Sequence, residues 1–287
     1  IEQIQSEIKS IDAEFKFKRK DDLRRLYQIH KETANPAHPF AKFSVGNQQT
    51  FGQFTTEALQ EKLAAFHASL YCASNMTLVI HSPYSVGQLM PWLTQAFEPM
   101  PAGKPAALSL PPLYTPEQLG VEIRITPLQA ARRMIVTFAL PALHLHINTR
   151  PLDFISHMLG DEGAGSLFAY LKAKGWITNL IAGSGIEGQG FKDFNINLQL
   201  TEAGLAHQAD IVSAVFSMIE LLKKSASEGW RLQEKAKLNQ LARQYDDSHK
   251  PLQAMCDLAE LHQYFSWQAI SEACQREALT SEALIEA

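Results

Sequence analysis

The chain has 287 residues, 46% of them hydrophobic and 20% charged, with a formal net charge of −4, so it can bury one large or two medium cores. Its lysines and arginines are dispersed apart from the run Lys16 to Lys20, which excludes a nucleic-acid footprint and leaves that run as a solvated turn between helices. The three cysteines, Cys72, Cys256 and Cys274, lie far apart without CxxC spacing, against a disulfide framework or a structural zinc cluster, and no stretch approaches the roughly 18 to 20 apolar residues of a membrane span.

The chain opens at Ile1, already inside a helical pattern and without a methionine, as an excised segment would. Ile1, Ile4, Ile8, Ile11 and Phe15 fall within one arc of a helical wheel, and Glu7 and Glu14, seven apart, sit above one another at the border of that stripe, facing protein. Two readings stay open. The pair is a metal ligand with a supporting carboxylate behind it, or two boundary carboxylates pairing with Lys or Arg on a surface helix. Asp21 or Asp22 caps a second helix holding Leu23, Leu26 and Ile29, which stops before Asn35-Pro36.

Pro39 to Gly52 reads as a loop turning at Gly46-Asn47, Thr56 to Tyr71 as a helix with Leu59, Leu63, Phe66 and Leu70 on one face, Met76 to Ile80 as a buried strand, and Ser85 to Phe97 as a helix. The Pro- and Ala-rich stretch 101–116 is the linker between a first unit, 1–100, and a second, 117–287. Val121 to Thr126 and Arg132 to Leu140 alternate like strands, Pro151 to Leu159 is helical, and Asp161 to Ser166 is a tight turn capping a helix over Leu167 to Lys174. Ile177 to Ala182 and Phe194 to Leu200 form a hairpin joined by glycines 183, 185, 188 and 190. Helices then follow from Thr201 to about Ser225, Trp230 to Tyr245 and Leu252 to Phe265. The order predicts an α+β fold of two sandwich units, mainly antiparallel sheet with helices on one face.

The ten histidines form neither HExxH nor HxxEH; His144 and His146 alternate without a nearby third ligand, and His157 reads as a packed or capping histidine. The glycines from 183 to 190 match neither GxGxxG in a strand-to-helix context nor a P-loop, and GxSxG is absent.

Two long segments are more specific. Asn35-Pro36-Ala37-His38-Pro39-Phe40-Ala41-Lys42-Phe43-Ser44-Val45-Gly46-Asn47, followed by Phe66 to Tyr71 and Asn75 to Val79, resembles the insulinase/pitrilysin family of zinc metallopeptidases, the inverzincins. His157 to Leu167, continued by Leu171 to Trp176, is similar to the second homologous domain of that family, so the resemblance covers nearly the whole chain. It implies a zinc-dependent endopeptidase closing around peptides in a chamber, with two ligand histidines and the general-base glutamate on an HxxEH helix. By position, the downstream zinc ligand is Glu14 and the carboxylate supporting it is Glu7.

HxxEH is not in this sequence, so the resemblance implies zinc in the parent protein, none bound here, and no activity of this chain alone. It implies a truncated first unit with an unpaired sheet edge, the remaining domains of the same enzyme as partners, and strand addition of peptide substrates at Leu180, Ile181, Ala182 and Gly183. The resemblance also implies Arg24 and Tyr27 as candidates for a pocket near the cut bond, where Tyr27 can supply an aromatic wall and Arg24 cannot. A bacterial parent of this kind is periplasmic or cytoplasmic, with the periplasm favoured. The alternative is a non-catalytic peptide-binding or scaffold subunit of the same fold.

Overall fold

A computed structural model describes residues 2–104, 109–128, 132–141, 151–225, 229–245 and 250–275. In chain order it shows α1 (Glu2–Lys18), α2 (Asp22–Glu32), α3 (Gln48–Phe51), α4 (Thr56–Leu70), α5 (Val86–Phe97), β1 (Arg133–Pro141), α6 (Pro151–Leu159) and α7 (Leu167–Ala173). There follow β2 (Ile177–Gly188), β3 (Phe191–Leu200), α8 (Glu202–Ala206), α9 (Gln208–Ser225), α10 (Gly229–Gln244), α11 (Pro251–His262) and α12 (Trp267–Gln275). Residues 1–129 and 250–263 form one compact unit, 130–249 and 264–287 the other. His144 and His146 lie outside the described residues.

The first unit is helical. Ile4, Ile8, Ile11 and Phe15 are half-buried on one side of α1, which packs on α3 and α4. Asp12 fixes that docking: one carboxylate oxygen accepts the Gln48 N–H at 2.9 Å and the other pairs with Lys16 at 2.6 Å. α3 lies inside the stretch that reads as a loop, built by a capping box in which Asn47 and Thr50 each accept the other's backbone N–H, after Gly46 at φ 87°. Asp21 caps α2 as expected, accepting from Leu23 and Arg24.

The Asn35-Pro36 motif is a folded turn: Asn35 Oδ1 accepts Ala37 N–H at 3.0 Å, its Nδ2 donates to Pro112 O at 2.7 Å, and His38 Nδ1 accepts Phe40 N–H at 3.0 Å. Residues 109–116 pack in this unit, with Leu113 buried. The buried strand expected at Met76 to Ile80 is absent; the segment is extended, with Met76, Leu78 and Ile80 exposed. Val121 to Thr126 is likewise unpaired. A strand needs a neighbour to take its N–H and C=O groups, and among the described residues of this unit no segment offers one. Leu63 and Phe66 on α4 are exposed as well, while Leu59 and Leu70 on the same face are half-buried, so the helical face legible in the sequence is only partly covered among the described residues.

The second unit holds the sheet, a three-stranded antiparallel ladder in the order β1-β3-β2. Val136 and Ala182 both pair with Ile196, and Met134 and Leu180 with Leu198. The expected alternation in β3 holds: Phe194, Ile196, Leu198 and Leu200 are buried, Asn195, Asn197 and Gln199 half-buried. Leu152 and Leu159 of α6, Leu167, Phe168 and Leu171 of α7, and Ile211 and Val215 of α9 join them in one core. Each fully buried aliphatic side chain there contributes about 1.5–3 kcal/mol.

Glycines 183, 185 and 188 belong to β2 rather than to the connection, which narrows to Gln189-Gly190, with Gly190 at φ 88°. The reason at Gly185 is space, since a Cβ there would lie 2.2 Å from Asn195 Nδ2 and 2.9 Å from Asp193 Cβ. The long helix expected from Thr201 breaks at His207 (φ −116°, ψ 28°), whose ring stacks on Trp176 at 4.6 Å and whose Nδ1 meets Asp210 at 2.8 Å. A further helix, α12, follows the expected ones.

Candidate functional site

The predicted site residues divide between the two units. Glu7 and Glu14 lie on α1. The structure corrects the inward orientation expected for them: Glu7 is exposed, and the Glu14 side chain is 54% exposed and paired with Lys18 one turn on. That hydrogen bond and the Lys18 charge hold the Glu14 carboxyl below the usual carboxylate range. The wheel places both residues at the edge of the stripe, and in this chain the side beyond that edge is open.

Tyr27 is on the second turn of α2, 38% exposed, edge-on to Phe40 with centroids 6.1 Å apart. Arg24 is exposed on the first turn. Phe40 also meets His30 edge-on at 6.0 Å, and His30 Nε2 is 2.9 Å from the Tyr114 hydroxyl. Burial keeps both His38 and Lys31 below their usual pKa.

Leu180, Ile181, Ala182 and Gly183 run along the middle of β2, paired with Leu198, Asn197, Ile196 and Asn195. Leu180 points into the core, and Ile181 is 61% exposed on the other face. Among the described residues β3 is the one neighbour of β2, so its second edge carries backbone groups without a strand partner. The turn beside it is ordered by Asp161 Oδ1 accepting Gly163 N–H at 3.1 Å and Ser166 Oγ accepting Ala169 N–H at 3.0 Å. His157 meets Glu234 at 3.8 Å, in keeping with a packed histidine.

Among the described residues no three His, Cys, Asp or Glu side chains converge. Sequence reasoning missed Asp12, which anchors α1, and Lys31, which is buried against aromatic rings. Asn47 followed three residues later by Thr50 signals the helix that Asp12 holds, and the four-residue spacing of Tyr27 and Lys31 signals their shared face.

Residues 58–237 match the family described as the peptidase M16 inactive domain. The A-factor-processing enzyme of Saccharomyces cerevisiae is 30% identical over 258 residues, covering 88% of this chain and 25% of the yeast protein. Human insulin-degrading enzyme is 30% identical over 284 residues, 98% of this chain and 27% of its own length. In structure, pitrilysin superposes with a TM-score of 0.86 at 24% identity, covering 99% of this chain and 31% of pitrilysin. The chain thus spans about a quarter of the length of the curated relatives it matches. Long motifs in unbroken order, an α+β fold shared with pitrilysin and a family match over most of its length place this chain in the peptidase M16 family, the insulinase/pitrilysin metallopeptidases.

Proposed function

We propose that this chain is part of a zinc metalloendopeptidase that hydrolyses peptides or small proteins in a closed chamber, and that it holds the peptide rather than supplying the whole catalytic centre. The observation that carries this reading is the position of β2 at the edge of its sheet, with Leu180 to Gly183 presenting backbone groups to which an extended peptide can add. Backbone pairing tolerates many sequences, which suits selection by size and shape. Glu14 is the zinc ligand of the parent and Glu7 its supporting carboxylate; the two histidines and the general base come from an HxxEH helix elsewhere in the parent, so this chain alone is inactive and metal-free. Tyr27 forms an aromatic wall beside the cut bond. Residues 1–100 are the end of the catalytic-type domain, 101–116 the linker and 117–287 the second, non-catalytic domain, with the remaining domains as partners. For a bacterial parent the periplasm is favoured over the cytoplasm.

A second reading, a non-catalytic peptide-binding subunit, is favoured by the family's description as an inactive domain. Zinc analysis and peptide turnover of the full-length parent separate the two. Glu14→Gln is expected to lose both bound zinc and turnover; unchanged turnover refutes the ligand assignment, and a parent without HxxEH supports the second reading.

A further inference from the structure

In the last turn of α2 the structure encloses a cation that has no matching anion among the described residues. Lys31 is 4% exposed, and among the described residues no carboxylate pairs with it. Aromatic rings take that place: its Nζ lies 4.1 Å from the centroid of Phe40 and 5.5 Å from that of Tyr27. A cation at these distances is attracted by the negative face of a ring, more strongly as water is excluded. Phe40 is itself fixed. Its backbone N–H donates to His38, and its ring meets His30, which is engaged by Tyr114. Tyr27 has fewer constraints: it stands half in solvent, and its described ring contacts are the edge-on Phe40 and the Lys31 ammonium.

We propose that Lys31 is a positioning residue that fixes the Tyr27 ring as the wall of the pocket receiving the substrate side chain beside the cut bond. This rests on the reading of Tyr27 given above. The ammonium and Phe40 constrain Tyr27 from its protein side and leave its free side as a defined surface. An apolar residue at position 31 would fill the same volume without orienting the ring. The specificity of the pocket therefore depends on a charge that never touches the substrate.

The test uses the full-length zinc-loaded parent and peptides differing only in the side chain next to the cut bond, aromatic in one and alanine in the other. Lys31→Met keeps length and apolar stem and removes the charge; Lys31→Arg keeps a cation that stacks on rings. The ratio of kcat/KM for aromatic over alanine peptide is expected to fall about three- to tenfold in Lys31→Met and in Tyr27→Leu, with no further fall in the double variant. It should stay within about twofold in Lys31→Arg, with zinc content unchanged in all. Equal loss on both peptides in Lys31→Met, or an unchanged ratio there beside a changed one in Tyr27→Leu, overturns the proposal. A ratio unmoved by Tyr27→Leu refutes the wall reading and the proposal with it. The contact is tested separately by NMR on the 287-residue chain. The Lys31 ε-methylene protons are expected upfield of ordinary lysine and partly restored in Tyr27→Leu, and ordinary shifts in the unaltered chain overturn the proposal whatever the pocket does.

Discussion

Replacing Gly204 by alanine is a sharp test of how α8 is seated on the start of β2. A Cβ at Gly204 would lie 2.0 Å from the Trp176 carbonyl oxygen and 3.0 Å from its carbon, where ordinary contact begins at 3.4 Å. Both sides of the clash are backbone, so no rotamer relieves it, and α8 has to move by more than 1 Å. That movement strains Thr201 N–H to Trp176 O at 2.9 Å, Thr201 Oγ1 to Gly175 O at 2.7 Å, and the cap in which Thr201 Oγ1 accepts Gly204 N–H at 3.0 Å. Overpacking costs about 1–3 kcal/mol and a lost cap about 1 kcal/mol, against at most about 1 kcal/mol gained from the better helix former. The expected net loss is about 1–3 kcal/mol, or about 4 to 12 °C in the melting of the second unit at roughly 4 °C per kcal/mol. Thermal unfolding followed by circular dichroism measures it, with Gly87→Ala in α5 as control, since a Cβ there meets nothing within 4 Å. A Gly204→Ala chain as stable as the parent sequence would refute the close approach.

In the same assay Leu198→Ala, fully buried on the central strand, is expected to lose about 2–5 kcal/mol, whereas Leu63→Ala on α4, 55% exposed in this chain, should stay within about 0.5 kcal/mol. Comparable losses would mean that α4 has a buried face after all. Acid should loosen α1. The Lys16 hydrogen bond and then the Gln48 N–H lower the Asp12 pKa, so folding stability from this group is present above the ordinary carboxylate pKa of about 4 and is lost as pH falls through the lowered value. NMR of the Gln48 amide from pH 5 to 2 should show that loss, and Asp12→Asn should abolish the pH dependence; an amide unaffected by protonation would remove Asp12 as the anchor.

Local signals gave the most reliable expectations. Caps at Asp21, Ser166 and Thr201 start helices where the sequence places them, because an N-cap is decided within four residues. The alternation in β3 likewise reports burial on the core face. Errors arose where the outcome depends on distant chain. Met76 to Ile80 has the composition of a strand, but a strand exists only with a partner. The orientation of Glu7 and Glu14 cannot be decided by a helical wheel, which gives an angle and not what occupies it. Glycines 183, 185 and 188 signal a turn by composition, while at Gly185 the side chains of Asp193 and Asn195 claim the space. Lys31 is a charged residue on a helix, and its burial depends on Phe40, brought over it by the Asn35 to Phe40 turn.

The pairing of β2 with β3 shifts register twice, between Ile177 and Asn179 and again between Ser184 and Glu187. The regular run between those shifts, Asn179 to Ser184, measures about 20 Å at roughly 3.4 Å per residue. Along an antiparallel edge, alternate residues turn both their N–H and C=O outward, so about three of them can accept a new strand. Under the proposed strand addition, the two irregularities are the stops of a ruler: a peptide laid on this edge would have a limited length over which to pair, and residues beyond the stops would add reach without adding grip.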